Sequence, residues 1–257
     1  MTSLPKIMVA PNGARLTKAD HPALPVTIDE TVACAIACRN AGADGLHAHV
    51  RDAEQRHVLD AGLYSELLAE MTRQLPGFYA QITTEAVGQY SPAQQRALVE
   101  TVRPKAVSIG LREIDDEPDP RITARFFAFC AEAEIHVQHI LYDTDDISRF
   151  ARLVSAGTIS PDNLAALIVL GRYSAGQLSS PDDLTAPAAQ LHQAFPTIDW
   201  SVCAFGPQET DCLVAAADLG GKARIGFENN RLNADGSVAR DNAQRVAELV
   251  ARLDAKP

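Results

Sequence analysis

Short apolar or β-branched runs alternate along the whole chain with segments whose apolar residues recur at the helical spacing of three and four. Strand-like runs fall at residues 6–10, 44–50, 78–83, 105–109, 135–141, 166–170, 198–203 and 222–226. Helical stretches follow them at 29–41, 63–74, 92–102, 121–133, 145–156, 182–194, 209–219 and 242–253. Ser-Pro, Thr or Asp stands ahead of several helices as a capping signal, and Gly-Ala, Ala-Gly and Gly-Gly pairs supply stops. Such regular alternation is the pattern of repeated βα units around a parallel sheet. No Pro/Ser-rich linker or low-complexity tract interrupts it, so one domain over residues 1–257 is expected. Eight units close most simply into an α/β fold of the (β/α)8 type, a TIM barrel. A doubly wound open sheet is the alternative, yet no Gly-x-Gly-x-x-Gly follows the first strand, where such a sheet carries its dinucleotide fingerprint.

Composition narrows the partners more than the fold. A chain of 257 residues, 46% hydrophobic and 22% charged, can bury a large core without staples. A net charge of -10 with no Lys/Arg run argues against nucleic acid or an anionic membrane as partner, so any anionic ligand must be held by a local basic cluster. The five cysteines, Cys34, Cys38, Cys130, Cys203 and Cys212, have neither disulfide-framework nor zinc-ribbon spacing and read as buried thiols in a reducing compartment. The first residues carry no signal-peptide pattern, and a cytoplasmic location is expected.

The most telling local pattern is His47-Ala48-His49 inside an apolar run, because side chains at i and i+2 of a strand share a face. Two neutral imidazoles on one face suit a divalent transition metal, while hydrogen-bonded core histidines are the plain alternative. In a barrel, active-site groups lie at the C-terminal ends of the strands and in the loops after them. There the chain carries Asn12 and Arg15 after strand one, His47, His49 and Arg51 at strand two, and Thr83, Thr84 and Glu85 after strand three. Ser108 ends strand four, Tyr142-Asp143 strand five, Gly171-Arg172 strand six, Cys203 strand seven, and Arg224 through Asn230 strand eight. Strands two and eight contribute to the same inward layers, so Glu228 can reach a metal on His47 and His49, while a solvated loop carboxylate or a helix N-terminal charge is the plain alternative. Two histidines and one carboxylate with open positions are a catalytic rather than a structural zinc pattern. His21, His57, His136 and His192 read as loop or helix-surface residues, and His139 as a weaker inward candidate. The loop Gly171–Gly176 offers small residues and Arg172 to a phosphate or pantetheine arm, without a phosphate-cradling motif. No histidine neighbours Cys203 or a hydroxyl residue in a nucleophile signature, so no acyl-enzyme is expected.

Five segments carry a family resemblance: residues 9–15 (VAPNGAR), 22–27 (PALPVT), 41–52 (AGADGLHAHVRD), 224–230 (RIGFENN) and 241–244 (DNAQ). Together they resemble the β-keto acid cleavage enzymes, typified by the 3-keto-5-aminohexanoate cleavage enzyme, from the first strand to the last helix. The resemblance implies a zinc barrel that converts a β-keto acid and acetyl-CoA into acetoacetate and a new acyl-CoA, as a transferase and commonly a homotetramer. It implies Zn2+ on His47, His49 and Glu228, acting as Lewis acid on the substrate carbonyl. Thr83, with Thr84 beside it, matches a substrate-binding hydroxyl position and Ser108 a second. Arg224 matches an arginine near the reacting atoms, where a guanidinium stabilises oxyanions. Asn12 is expected at the substrate, and Arg172 and Gly176 at CoA.

Two positions depart from that typical member. Asn229 stands where it has an aspartate of its proton-abstracting group, and an amide is no general base, so either the base comes from elsewhere, with Glu85 and Asp143 the nearest candidates, or Asn229 only orients substrate and the reaction proceeds differently. Arg15 stands where it has a glutamate near a cationic substrate; the reversed charge implies a neutral or anionic tail, with Arg15 either partnering a distal carboxylate or tethering its loop. A metal-dependent hydrolase or aldolase on the same barrel, and a barrel that binds zinc and a keto acid without turnover, are the competing functions.

Overall fold

Strand β1 (Ile7–Val9) pairs in parallel with β2 (Gly45–Ala48) on one side and with β8 (Lys222–Ile225) on the other, and the second pairing closes the sheet. Between them β3 (Tyr79–Thr83), β4 (Ala106–Gly110), β5 (His136–Leu141), β6 (Ala165–Leu170) and β7 (Asp199–Ala204) follow in chain order, all parallel. This architecture, from a computed structural model that describes residues 3–255, is the expected (β/α)8 barrel. The observed strands lie within a residue or two of the apolar runs.

Helices α1 (Ile28–Asn40), α2 (Ala61–Gln74) and α3 (Pro92–Val102) follow the first three strands. After β4 a short α4 (Leu111–Ile114) precedes α5 (Pro120–Glu132), an extra turn too short to show a period in the sequence. Then come α6 (Thr144–Ser155), α7 (Thr185–Ala194), α8 (Glu209–Asp218) and α9 (Asn242–Asp254). The stretch expected as one helix over 182–194 is divided, with a 3-10 turn at Pro181–Leu184 ahead of α7. Capping explains the starts: Thr27 and Glu30 form a reciprocal capping box, Ser91 and Gln94 another, and Asp60, Asp119, Asp143 and Asp241 each accept a first-turn N–H.

The strands read as near-continuous apolar runs because both of their faces are buried. One face packs with the helices into the main core, which holds Val9, Leu46, Ile82, Val107, Ile168 and Ile225 among others. The other lines the barrel interior, where Ile140, Leu167, Val169, Cys203 and Phe205 form a separate cluster. His139 belongs to the first face, not the interior expected of it. Its neighbours Gln138 and Ile140 point inward, so strand alternation turns its ring out against Phe127 and Phe150. Among the described residues no helix is long and apolar enough to cross a membrane, and the five cysteines are free thiols.

Candidate metal centre and active site

Strand β2 delivers His47 into the barrel mouth, and His49 follows one residue beyond the strand. A clamp from the β1 loop fixes that exit. Asn12 Oδ1 accepts from the His49 backbone N–H at 3.3 Å, while its Nδ2 donates to the His49 carbonyl at 2.9 Å and the Pro25 carbonyl at 3.2 Å. Arg51 ties the same loop down by donating to the carbonyls of Asn12 and Gly13. Asn12, expected at the substrate, lines the site with its amide engaged by backbone.

The two imidazole Nε2 atoms lie 3.2 Å apart, and Glu228 Oε2 lies 3.5 Å from that of His47 and 3.6 Å from that of His49. Ligand atoms about 2.0–2.1 Å from a tetrahedral zinc stand about 3.3–3.4 Å from one another, so the triangle has the edge lengths of a metal's ligand face. Glu228 Oε2 is buried without a protein hydrogen-bond partner, although its other oxygen accepts from Arg224 at 3.0 Å. A buried carboxylate oxygen left unpaired is costly, and a cation at that point satisfies it. Among the described residues these three form the group of His, Cys, Asp or Glu side chains placed to hold a metal. The donors fit.

Glu228 reaches this position because the β8 exit is bound on every side. Gly226 sits at φ 147°, and a Cβ there would lie 2.4 Å from the Ala10 carbonyl oxygen; Gly13, at φ 58°, leaves room for the Glu228 side chain, which a Cβ would approach to 2.6 Å. The Gly226 N–H donates to Glu209, the Phe227 N–H to Asn242 Oδ1 and the Glu228 N–H to the Ala10 carbonyl. Asn242 Nδ2 also donates to the Pro11 carbonyl, so the first residue of α9 staples the β1 and β8 loops together. That is the physical content of the Asp241-Asn242-Ala243-Gln244 segment.

Electrostatics keep the three groups ready to ligate. Burial, and then the charge of Arg224, push His47 down to about 4, and burial holds His49 well below its ordinary value, so both rings are neutral near pH 7. For Glu228 burial opposes the charge, but the Arg224 guanidinium holds the carboxyl well below the usual carboxylate range. Burial, and then the charge of Glu228, push Glu85 up to about 7 against the pull of Arg172. Its carboxylate lies 3.6 Å from the Arg172 guanidinium and 3.9 Å from His49 Nε2.

Arg15, Thr83, Glu85, Arg172, Arg224 and Asn229 share the pocket with the three candidate ligands. Asn229 is buried with both amide atoms free of protein partners, and Thr83 Oγ1 accepts from the Glu85 N–H. Thr84, Ser108 and Gly176 do not line the pocket. Thr84 turns to the Ser108 carbonyl, Ser108 is enclosed on β4, and Gly176 sits exposed at φ 70°. Asp143 is likewise removed from the site, because it caps α6 and pairs with Arg112 at 2.7 Å.

Sequence reasoning missed His57 and Gln81. His57 was expected at the surface, but a turn at Asp52–Gln55 folds it back so that Arg51 and His57 bridge, and the ring is buried. Its Nδ1 lies 3.3 Å from His49 Nδ1, and its Nε2 donates to the Glu85 carbonyl. The signal was present in Asp52, whose carboxylate accepts from the Glu54 and Arg56 N–H groups and closes the turn. Gln81 contacts His47 Nδ1 at 2.9 Å, and a glutamine within an apolar strand is the clue to it. His21 and His136 are also buried rather than superficial: His21 bonds the Ala239 carbonyl, and His136 meets the Tyr79 hydroxyl. His192, half-buried, packs its ring edge-on against Trp200.

The closed parallel barrel carries a candidate two-histidine, one-carboxylate metal site at its mouth, and comparison with known proteins narrows the class it belongs to. A family model described as beta-keto acid cleavage enzyme matches residues 6–256, and the chain belongs to that family. The 3-oxoadipate:acetyl-CoA acetyltransferase of Cupriavidus necator is 26% identical over 95% of this chain and 87% of its own length. The 3-keto-5-aminohexanoate cleavage enzyme of Fusobacterium nucleatum is 24% identical over 93% of this chain and 87% of its own. Among solved structures, the binary complex of ObcA with oxaloacetate matches with a TM-score of 0.73 at 17% identity, covering 90% of this chain and 64% of that one. That likeness is one of fold; this chain spans less than two thirds of ObcA.

Proposed function

We propose that the protein cleaves a β-keto acid against acetyl-CoA, giving acetoacetate and the acyl-CoA of the remaining chain. The observation that carries the reading is the His47–His49–Glu228 triangle, with its unpaired Oε2, at the mouth of a barrel of this family. Zn2+ held by these three side chains supplies a Lewis acid to the keto acid when bound. Carbon balance is simple. C2 of the keto acid loses a proton and attacks the acetyl carbonyl, the CoA thiolate leaves and then adds to the original ketone carbon, the bond from that carbon to C2 breaks, and the resulting C2 carbanion takes the proton back to give acetoacetate.

The chain's own residues divide that work. Glu85, raised to about 7 and facing the triangle, takes the C2 proton in place of the missing aspartate. Arg224, buried beside Glu228, faces the oxygens on which negative charge develops. Asn229 offers its unpaired amide to the substrate, and Thr83 its hydroxyl. Arg172, stacked 5.3 Å over Phe205 at the β6 exit, faces the CoA arm.

Arg15 and Arg172 make the outer pocket cationic, which favours a substrate with a distal carboxylate over one with a terminal ammonium. The name of the Cupriavidus relative, an acetyltransferase of the dicarboxylate 3-oxoadipate, agrees with that chemistry. The test is a panel of β-keto acids with acetyl-CoA, with acetoacetate and the new thioester both measured. Both products are expected only when both substrates are present, fastest with dicarboxylic or neutral keto acids. Turnover without CoA would reject the reading, and a preference for 3-keto-5-aminohexanoate would reject the assignment of the substrate tail alone. A His47→Ala/His49→Ala variant is expected to lose stoichiometric zinc.

A further inference from the structure

A line of polar side chains crosses the barrel interior from β2 to β7. His47 Nδ1 lies 2.9 Å from Gln81 Oε1, and Gln81 Nε2 donates to Gln138 Oε1 at 3.0 Å. Gln138 Nε2 in turn donates to the Ala166 carbonyl at 3.2 Å and to Ser201 Oγ at 2.8 Å. All four side chains are buried, where polar groups persist only if they are satisfied.

The direction of this line is fixed by its far end. A backbone carbonyl only accepts, so the end of Gln138 that faces Ala166 is its amide nitrogen. Its oxygen therefore faces Gln81, which must offer nitrogen to Gln138 and oxygen to His47. An amide oxygen also only accepts, so the His47 proton sits on Nδ1. Reversing both amides would set the Gln138 oxygen against the Ala166 carbonyl with no proton between them. His47 Nε2, the atom 3.5 Å from Glu228 Oε2, is thereby left unprotonated. A free neutral histidine prefers its proton on Nε2, the arrangement that cannot ligate there.

We propose that Gln81 and Gln138 are positioning residues that lock His47 in its Nδ1-protonated form, with the Ala166 carbonyl as anchor. The amide floor of the barrel then keeps a ligating lone pair in the mouth before any ion arrives. Partners that orient a ligating histidine are worth about 10–100-fold in metal affinity. The inference rests on the metal reading of the site.

Zinc affinity of the purified protein, measured by competition with a chromophoric chelator, tests it through Gln138→Met, a site that touches neither the triangle nor any ion there. The dissociation constant is expected to rise about tenfold. Gln81→Met should lose at least as much, and the Gln81→Met/Gln138→Met double variant no more than Gln81→Met alone, because both act through one N–H. Ser201→Ala, which leaves the Ala166 anchor in place, should stay within about twofold of the parent. Unchanged zinc affinity in Gln138→Met, or losses that add in the double variant, would overturn the relay, whatever happens to the melting temperature.

A second measurement needs no variant: the 15N shifts of the His47 ring in the intact, zinc-free protein should show Nδ1 protonated and Nε2 bare, and the opposite pattern refutes the inference. If the parent takes up no zinc, the metal reading falls and the relay with it; if the parent binds zinc and the variants bind it equally well, the relay alone falls.

Discussion

Arg224 donates to Oε1 of Glu228 at 3.0 Å and thereby divides the carboxylate, turning Oε2 toward the two imidazoles. The guanidinium also donates to Cys203 Sγ at 3.2 Å, which pins it to the barrel wall. Arg224→Met should lower turnover of the β-keto acid by about 10²–10³-fold, the usual cost of losing a preorganised donor at a developing oxyanion. Arg224→Lys keeps the charge but not the fork and should recover only part of that loss. Steady-state kinetics at saturating acetyl-CoA check it, and a Met variant within tenfold of the parent would remove Arg224 from the reaction.

The proposed reaction gives proton abstraction to Glu85, because the Asn229 amide is no general base. Glu85→Gln keeps the shape and the Thr83 contact of its backbone while removing the base, so turnover should fall by about 10²-fold or more. Zinc content should be unchanged, since the triangle does not include Glu85. Asn229→Asp in the same background tests the alternative site for the base. Recovery of turnover in that double variant is the expected outcome, and an active Glu85→Gln single variant would end the assignment.

Much of this was legible in the chain, and for physical reasons. Eight apolar runs at βα spacing show as strands because both faces of each strand are buried, and the caps show because Thr27, Ser91 and the Asp residues must satisfy first-turn N–H groups. His47 and His49 were visible because strand alternation is local. What stayed hidden depends on contacts far apart in sequence. The reach of Asn12 to the His49 backbone, the return of His57 through a turn, and the Gln81–Gln138 bond across the barrel are set by closure of the sheet, not by any local period. His139 misled for a smaller reason: its parity along β5 follows from which neighbours face inward, and two histidines three residues apart, on opposite faces of the strand, do not declare which of them that is.

Arg15 sets the charge at the outer wall of the pocket, where its side chain is exposed. Arg15→Glu should therefore lower kcat/KM for dicarboxylic β-keto acids by about tenfold, in line with one charge-assisted hydrogen bond, and leave neutral substrates nearly unaffected. The same change should raise acceptance of an ammonium-bearing keto acid. Equal effects on all three substrate types would mean that Arg15 only tethers its loop.

The ion pair between Arg245 and Glu209 is fully buried, 3.0 Å long, and supports the β8 exit through the Glu209 contact with the Gly226 N–H. Removing one partner leaves the other charge stranded, so Arg245→Met should destabilise the fold by about 3–5 kcal/mol in urea unfolding. Adding Glu209→Gln, which retains an acceptor for Gly226 while discharging the site, should return part of that loss. A single variant within about 1 kcal/mol of the parent would show that no charge is stranded there and that the pair does not hold the loop.

His139 supplies the pH dependence that is cleanest to measure, because it lies among Phe127 and Phe150, away from the metal triangle. Burial, and then the charge of His136, push its pKa from 6.5 down to about 3. The unfolded chain therefore takes up this proton before the folded one does. Stability contributed by the neutral ring is fully present above about pH 6.5 and is lost as pH falls toward 3. Between pH 7 and pH 5 the loss from this one group is about 2 kcal/mol. His139→Leu keeps an apolar side chain against the two phenylalanines and removes the titration. Its stability relative to the parent, read from urea unfolding at both pH values, should improve by about that amount on acidification, and an unchanged difference would place the acid sensitivity elsewhere.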